Sequence, residues 1–126
     1  MTEEEFLIAV DAAVRRWRHD RTGQPLSCRT FAQAEPANCH ANAESYAALH
    51  GGEVTRGFLI QHPHDWAAVW VMPHSVVRID GTLIDVTLNP SQLRGIAFFT
   101  VDGPVHGFAD WAKRYPRETR PIPEHR

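Results

Sequence analysis

The sequence predicts an α+β fold in which helices pack on an antiparallel β-sheet. Two helical patterns occupy the first 50 residues, and short segments rich in Val, Ile, Phe and Trp follow them. An Asp-Gly pair at residues 80–81 separates two of these segments, which is typical of the turn of a β-hairpin. The length of 126 residues suits one domain, which we expect to span residues 1–126.

The first helix is predicted at about residues 2–18. Thr2 and Glu5 have the spacing of a capping box, and a Gly-Pro-containing turn at residues 22–25 follows the helix. Apolar residues recur at helical spacing on one face: Phe6, Leu7, Val10, Ala13, Val14 and Trp17. We expect this face to pack on the core and assign it no chemistry.

The second helix is predicted at residues 39–50, with Asn38 as its N-cap and a Gly-Gly pair as its stop. Strands are predicted at residues 56–61, 67–72, 75–79, 83–87 and 96–101. A short helix at about residues 108–115 and an extended tail at about residues 116–126 complete the chain.

Composition excludes several classes of partner. The formal net charge of −2 leaves no excess of Lys and Arg for a dedicated nucleic-acid or membrane-surface binder. No apolar run approaches the roughly 18 residues of a membrane span, and the acidic N-terminus is unlike a secretory signal. We therefore expect a cytoplasmic protein with free thiols. A processing enzyme, a phage-borne protein and a translocated effector all fit these features, and the sequence does not fix the oligomeric state.

Cys39 is the candidate nucleophile. It stands at the predicted start of the second helix, where backbone amides and the helix dipole stabilise a thiolate. Polar neighbours flank it, whereas a structural cysteine is more often found in an apolar run. The alternative interpretation of Cys39 is an inert core thiol.

The predicted hairpin places a histidine near a carboxylate. With residues 80–81 as the turn, Val77, Ile79, Ile84 and Val86 share one apolar face, and His74 and Asp85 lie on the other. The backbones of His74 and Asp85 are then diagonal neighbours within about 7–8 Å. A buried carboxylate needs a partner, so we expect Asp85 to bind His74. Cys39, His74 and Asp85 would then act as nucleophile, general base and orienting group, with a thioester intermediate.

These residues resemble a known family. The matching segments, in chain order, are Cys39 at a helix start, Gly52-Glu53-Val54-Thr55-Arg56-Gly57, His74-Ser75-Val76-Val77 and Asp80-Gly81-Thr82-Leu83-Ile84-Asp85-Val86-Thr87. The chain resembles the core of the transglutaminase-like proteins, within the wider papain-like cysteine hydrolases, over about residues 39–89. The resemblance implies a papain-like fold, no cofactor, and acyl transfer at an amide of a peptide or protein substrate. The enzyme would be a peptidase, amidase, deamidase or transamidase.

The resemblance and the local sequence together suggest residues that bind substrate. Gln33 lies six residues before Cys39, and a Gln at that offset in papain-like proteases donates to the oxyanion. Asn38 is a second candidate donor. Trp66 follows a polar loop, and we expect it beside a substrate groove. The alternative interpretation of Gln33 is a polar loop residue.

Two alternatives to an enzyme remain open. A zinc-stabilised binding module could use residues with ligating side chains: Cys28, Cys39, His62, His64 and His74. The chain lacks the paired spacing of common zinc sites, so we predict no metal. A catalytically degenerate member of the fold could bind a protein partner instead. Among the other histidines, His40 is expected to point away from Cys39.

Overall fold

A computed structural model describes residues 1–63 and 66–123 of the chain. The helices are α1 (Glu3–His19), α2 (Cys39–His50) and α3 (Phe108–Arg114). The strands are β1 (Ser27–Cys28), β2 (Glu53–Gln61), β3 (Ala68–Ile79), β4 (Thr82–Asp85), β5 (Ile96–Thr100) and β6 (Glu118–Pro121). The three helices pack on this mostly antiparallel sheet, which confirms the predicted α+β class.

The sheet is built around β3. The strand order is β1-β4-β3-β2-β5, and among the strand pairings of the described residues only β1–β4 is parallel. β2 pairs along one edge of β3, while β6 and β4 pair with opposite ends of its other edge, at residues 68–71 and 77–79. Within the described parts of the chain, residues 72–76 therefore have no ladder partner on this second edge. His74 lies in this open stretch.

Helix α1 packs on one face of the sheet. It starts with the predicted capping box between Thr2 and Glu5, and its apolar face is buried in the core. The ring of Phe6 meets the rings of Phe58 and Phe108 at 5.6 and 5.4 Å, which joins α1 to β2 and α3. No helix in the described ranges is both long and apolar enough to cross a membrane.

The strand boundaries differ from the prediction by two or more residues in three places. The strand predicted to begin at residue 56 begins at Glu53. The segments predicted at residues 67–72 and 75–79 are one strand, because β2 pairs continuously through Pro73 and His74. Proline is tolerated there because the strand is unpaired on its other side. The strand predicted to end at residue 87 ends at Asp85 instead. The Asp85 carboxylate accepts the backbone N–H groups of Thr87 and Leu88, which ends the ladder.

Strands β1 and β6 were not predicted. β1 has only two residues, and β6 lies in the tail that the sequence predicts as extended. Residues 124–126 of that tail lie outside the described residues. The predicted bounds of α2 are confirmed, and Asn38 occupies the N-cap position, but its side chain does not make the capping hydrogen bond expected of it.

Asn42 anchors the first turn of α2 instead. The residue is 3% exposed, and its Oδ1 accepts the Glu35 N–H at 3.0 Å. Its Nδ2 donates to the Glu35 carbonyl at 2.8 Å and to the Thr87 hydroxyl at 2.9 Å. These three bonds tie the helix that begins at Cys39 to the segment that follows Asp85.

We expect Asn42→Ala to lower the free energy of unfolding by about 1–3 kcal/mol, because it leaves buried polar groups without partners. Ser45 is exposed on the same helix, so Ser45→Ala is the matched control and should leave stability unchanged. Urea unfolding followed by circular dichroism measures both. Equal stability of the two variants would contradict the anchoring role of Asn42.

Candidate active site

Cys39 begins α2 and opens onto a cavity of about 640 Å³. His74 lines the same cavity from the open stretch of β3, and Asn38 and His40 line it beside the cysteine. The start of α2 therefore brings the Cys39 thiol to residues 72–76 of β3, the stretch of the second edge that has no partner strand in the described structure. This placement joins two residues that are 35 positions apart in the chain.

His74 and Asp85 form the pair that the hairpin register predicts. The predicted register is confirmed, since Val77 pairs with Ile84, Arg78 with Leu83 and Ile79 with Thr82. The Nε2 atom of His74 lies 2.6 Å from Oδ2 of Asp85, and the two residues are 3% and 0% exposed. The other carboxylate oxygen accepts two backbone N–H groups at 2.9 and 2.8 Å. Asp85 is thus fully bonded, as a buried charge requires.

The predicted apolar face of the hairpin is also confirmed. Val77, Ile84 and Val86 are buried against Ala43 and Tyr46 of α2, and Ile79 packs at their margin. The opposite face carries His74 and Asp85. Alternation along the two strands therefore separates the polar pair from the helix-covered core.

The environment favours a charged thiol and imidazole. Burial raises the pKa of Cys39, but hydrogen bonding from His40 and His74 and the charge of His74 outweigh it and lower the pKa to about 6. Burial lowers the pKa of His74, but Asp85 and Cys39 outweigh it and raise the pKa to about 9. Burial also raises the pKa of Asp85, yet its bonds to His74 and the backbone hold that pKa below its usual value. A thiolate–imidazolium pair is therefore favoured between pH about 6 and about 9.

The second cysteine has the opposite character. Cys28 lies on β1 and pairs in register with Asp85 on β4. Burial and the negative charge of Asp85 both raise the pKa of its thiol. The same carboxylate that supports charge at His74 thus keeps Cys28 protonated.

A second polar network reaches the site from the helix-covered face. His40 Nδ1 lies 2.6 Å from Ser75 Oγ, and Arg56 donates to the same oxygen at 2.8 Å. Arg56 also binds Glu44 at 2.6 Å. The expectation that His40 points away from Cys39 is wrong, because the imidazole lines the cavity and acts on the thiol. The one sequence signal for this network was Arg56, because a cation in a predicted strand needs a partner.

The structure does not bring two predicted substrate-binding residues to the cavity. Gln33 is exposed in a turn and is not among the residues that line the cavity. Trp66 is 51% exposed and meets Trp70 in a T-shaped arrangement with ring centroids 5.8 Å apart, and it is not among the residues that line the cavity. Asn38 does line the cavity. The donor role of Gln33 stays a prediction from the resemblance.

The residues of the zinc alternative are dispersed. Cys39 and His74 lie together, but His62 Nε2 contacts the Trp66 carbonyl at 2.6 Å. His64 lies outside the described residues. Across residues 1–63 and 66–123, no group of three or more His, Cys, Asp and Glu side chains is placed to hold a metal ion.

Comparison of the chain with protein-family models, with curated proteins and with solved structures found no match. The likeness to transglutaminase-like proteins therefore stays a prediction from the motifs.

We expect iodoacetamide at neutral pH to alkylate Cys39 at least about tenfold faster than Cys28, because the larger thiolate fraction outweighs the lower nucleophilicity of a low-pKa thiol. Intact-mass and peptide-mapping measurements should find one early adduct, located on Cys39. Cys28→Ser should react like the wild type, and Cys39→Ala should lose the fast phase. Preferential labelling of Cys28 would contradict the described electrostatics.

Proposed function

We propose that this protein is a cysteine-dependent acyl-transfer enzyme with a papain-like or transglutaminase-like core, acting on an amide bond. The observation that supports this most is the buried Asp85–His74 pair, which shares a cavity with the helix-start thiol of Cys39. Asp85 occupies His74 Nε2, so Nδ1 is the nitrogen left for the thiol and the substrate. A purely structural ion pair would have no need of a low-pKa thiol beside it.

The proposed reaction begins with attack of the Cys39 thiolate on the amide carbonyl carbon. A carbon–sulfur bond forms, and the carbonyl electron pair moves to oxygen. When the carbon–nitrogen bond breaks, the His74 imidazolium gives its Nδ1 proton to the departing nitrogen. The products of this half-reaction are a free amine and a thioester on Cys39.

The second half-reaction returns the enzyme to its starting state. Neutral His74 takes a proton from water or an amine, which attacks the thioester carbon. The carbon–sulfur bond breaks, and the thiolate and imidazolium are restored. Asp85 keeps the ring oriented and stabilises its positive charge in both steps.

Backbone donors at the start of α2 suit the developing oxyanion. The N–H of Asn42 makes an intrahelical bond to the Asn38 carbonyl. The N–H groups of residues 39–41 precede it in the first turn, where helices have no internal acceptor for them. These groups point toward the end of the helix that carries Cys39, where the dipole also favours negative charge.

The cavity lining favours an apolar group on the substrate. Most of the side chains around Cys39 that are neither catalytic nor charged are apolar: Leu59, Met72, Pro73, Leu88, Ala109 and Ala112. Burying an apolar side chain against such a wall contributes about 25 cal/mol per Å². We therefore propose a peptide or protein substrate with an apolar residue beside the scissile amide.

The pH dependence should separate the two catalytic groups. For fluorogenic peptide amides, we expect kcat/KM to rise through pH about 6, as Cys39 ionises, and to fall through about 9, as His74 loses its proton. The matched ester with the same acyl group has a leaving group that needs no proton. Its profile should rise through the same lower value and lack the alkaline fall.

The variants test the named roles. Cys39→Ala should abolish turnover of both substrates, and Asp85→Asn should lower kcat/KM for the amide by about 100-fold or more. Cys28→Ser is the matched control and should retain activity. Amide turnover that survives Cys39→Ala would overturn the proposed function.

A further inference from the structure

We propose that His40 is a second catalytic histidine, fixed by Ser75 and Arg56 as an Nε2–H donor to the sulfur of Cys39. This inference rests on the proposed function and adds to it a residue that the Cys39–His74–Asp85 mechanism does not use. His40 and Cys39 are consecutive in the first turn of α2 and line the same cavity.

Ser75 connects His40 to a cation. Ser75 is 0% exposed and pairs in register with Arg56 across the β2–β3 ladder. Its Oγ atom lies 2.6 Å from His40 Nδ1 and 2.8 Å from Arg56 Nη1. One buried hydroxyl therefore lies between an imidazole and a guanidinium.

Counting hydrogens at Ser75 assigns the tautomer of His40. A guanidinium only donates, so the Ser75 oxygen accepts from Arg56. Within the described ranges, the only other hydrogen-bond partner of this hydroxyl is His40 Nδ1. The hydroxyl hydrogen therefore goes to Nδ1, because a buried donor without an acceptor is costly. Nδ1 accepts, and the ring hydrogen is on Nε2.

Two further contacts fix the ring. Arg56 is held by Glu44 at 2.6 Å, and Glu44 follows His40 by one helical turn on α2. The rings of His40 and Phe108 meet in a T-shaped arrangement, with centroids 5.8 Å apart and planes at 74°. The remaining charged group that lines the cavity is Lys113.

The two histidines at the thiol consequently differ in their support. The Asp85 carboxylate accepts a hydrogen bond from His74, which favours an imidazolium that can give and take a proton. His40 is bonded instead to the Ser75 hydroxyl, which itself accepts from Arg56, and this arrangement favours a ring that presents Nε2–H as a hydrogen-bond donor. Hydrogen bonding from His40 helps to lower the pKa of the Cys39 thiol. His40 is therefore a second donor to the thiolate beside His74, both before the attack on the amide and when deacylation restores the thiolate.

The test is the rate of Cys39 alkylation by iodoacetamide as a function of pH, which needs no substrate. His40→Asn keeps an acceptor for Ser75 and removes the donor to sulfur. We expect the midpoint of its pH–rate profile to rise by about one pH unit, which causes an about tenfold loss of thiolate below the wild-type midpoint. The alkylation rate there should fall only about threefold, because a thiolate of higher pKa is more nucleophilic and offsets part of that loss. His40→Gln offers an amide N–H near the Nε2 position and should restore part of the shift.

Three variants serve as controls. His50→Asn lies at the far end of the same helix and should keep the wild-type midpoint. Ser75→Ala retains His40 but frees its tautomer, so it should raise the midpoint by less than His40→Asn does. His74→Gln should raise the midpoint whether or not His40 takes part. Thermal unfolding of each variant confirms that it is folded.

A folded His40→Asn with the wild-type midpoint would overturn the role of His40. If His74→Gln still shifts the midpoint in that case, the proposed function stands and only this inference fails. If neither variant shifts it, both fail. Should His40→Asn not fold, Ser75→Ala decides, and an unchanged midpoint in that variant would equally overturn the inference.

Discussion

The architecture of the site depends on one buried contact, between the carboxylate of Asp85 and the imidazole of His74. A fully buried carboxylate must have all of its oxygens bonded. One oxygen binds His74, and the other accepts the N–H groups of Thr87 and Leu88, which ends β4 at that residue. The same charge keeps Cys28 protonated on the neighbouring strand. The Asp85 carboxylate therefore determines where β4 ends and how the His74 ring is oriented, and it contributes to the difference in pKa between the Cys28 and Cys39 thiols.

The open stretch of β3 makes this contact useful. If β4 and β6 met along that edge, the start of α2 could not approach His74. The gap at residues 72–76 admits Cys39, and alternation along β3 then presents His74 on one face and Ser75 on the other. Consecutive residues of the helix thereby meet consecutive residues of the strand: Cys39 meets His74, and His40 meets Ser75.

The sequence was sufficient where local chemistry decides the structure. The Asp-Gly turn, with Asp80 and Gly81 at φ of 50° and 78°, sets the hairpin register and hence the His74–Asp85 pair. The capping box likewise sets the start of α1. The sequence was insufficient where long-range packing decides. His40 lies beside Cys39 in the chain, but its ring is held by Ser75 and Phe108, which are distant in the sequence. Asn38 had the composition of a cap, but the buried amide of Asn42 anchors the helix.

The charge state of His74 tests the proposed ion pair most directly. Nitrogen NMR of histidine-labelled protein, with His74→Gln used to assign the signals, reports which ring nitrogens carry hydrogen. We expect both nitrogens of His74 to be protonated between pH about 6 and about 9 in the wild type. Cys39→Ala should lower the pKa of His74, because the thiolate no longer favours the imidazolium. A ring that carries a single hydrogen throughout that range in the wild type would contradict the thiolate–imidazolium pair.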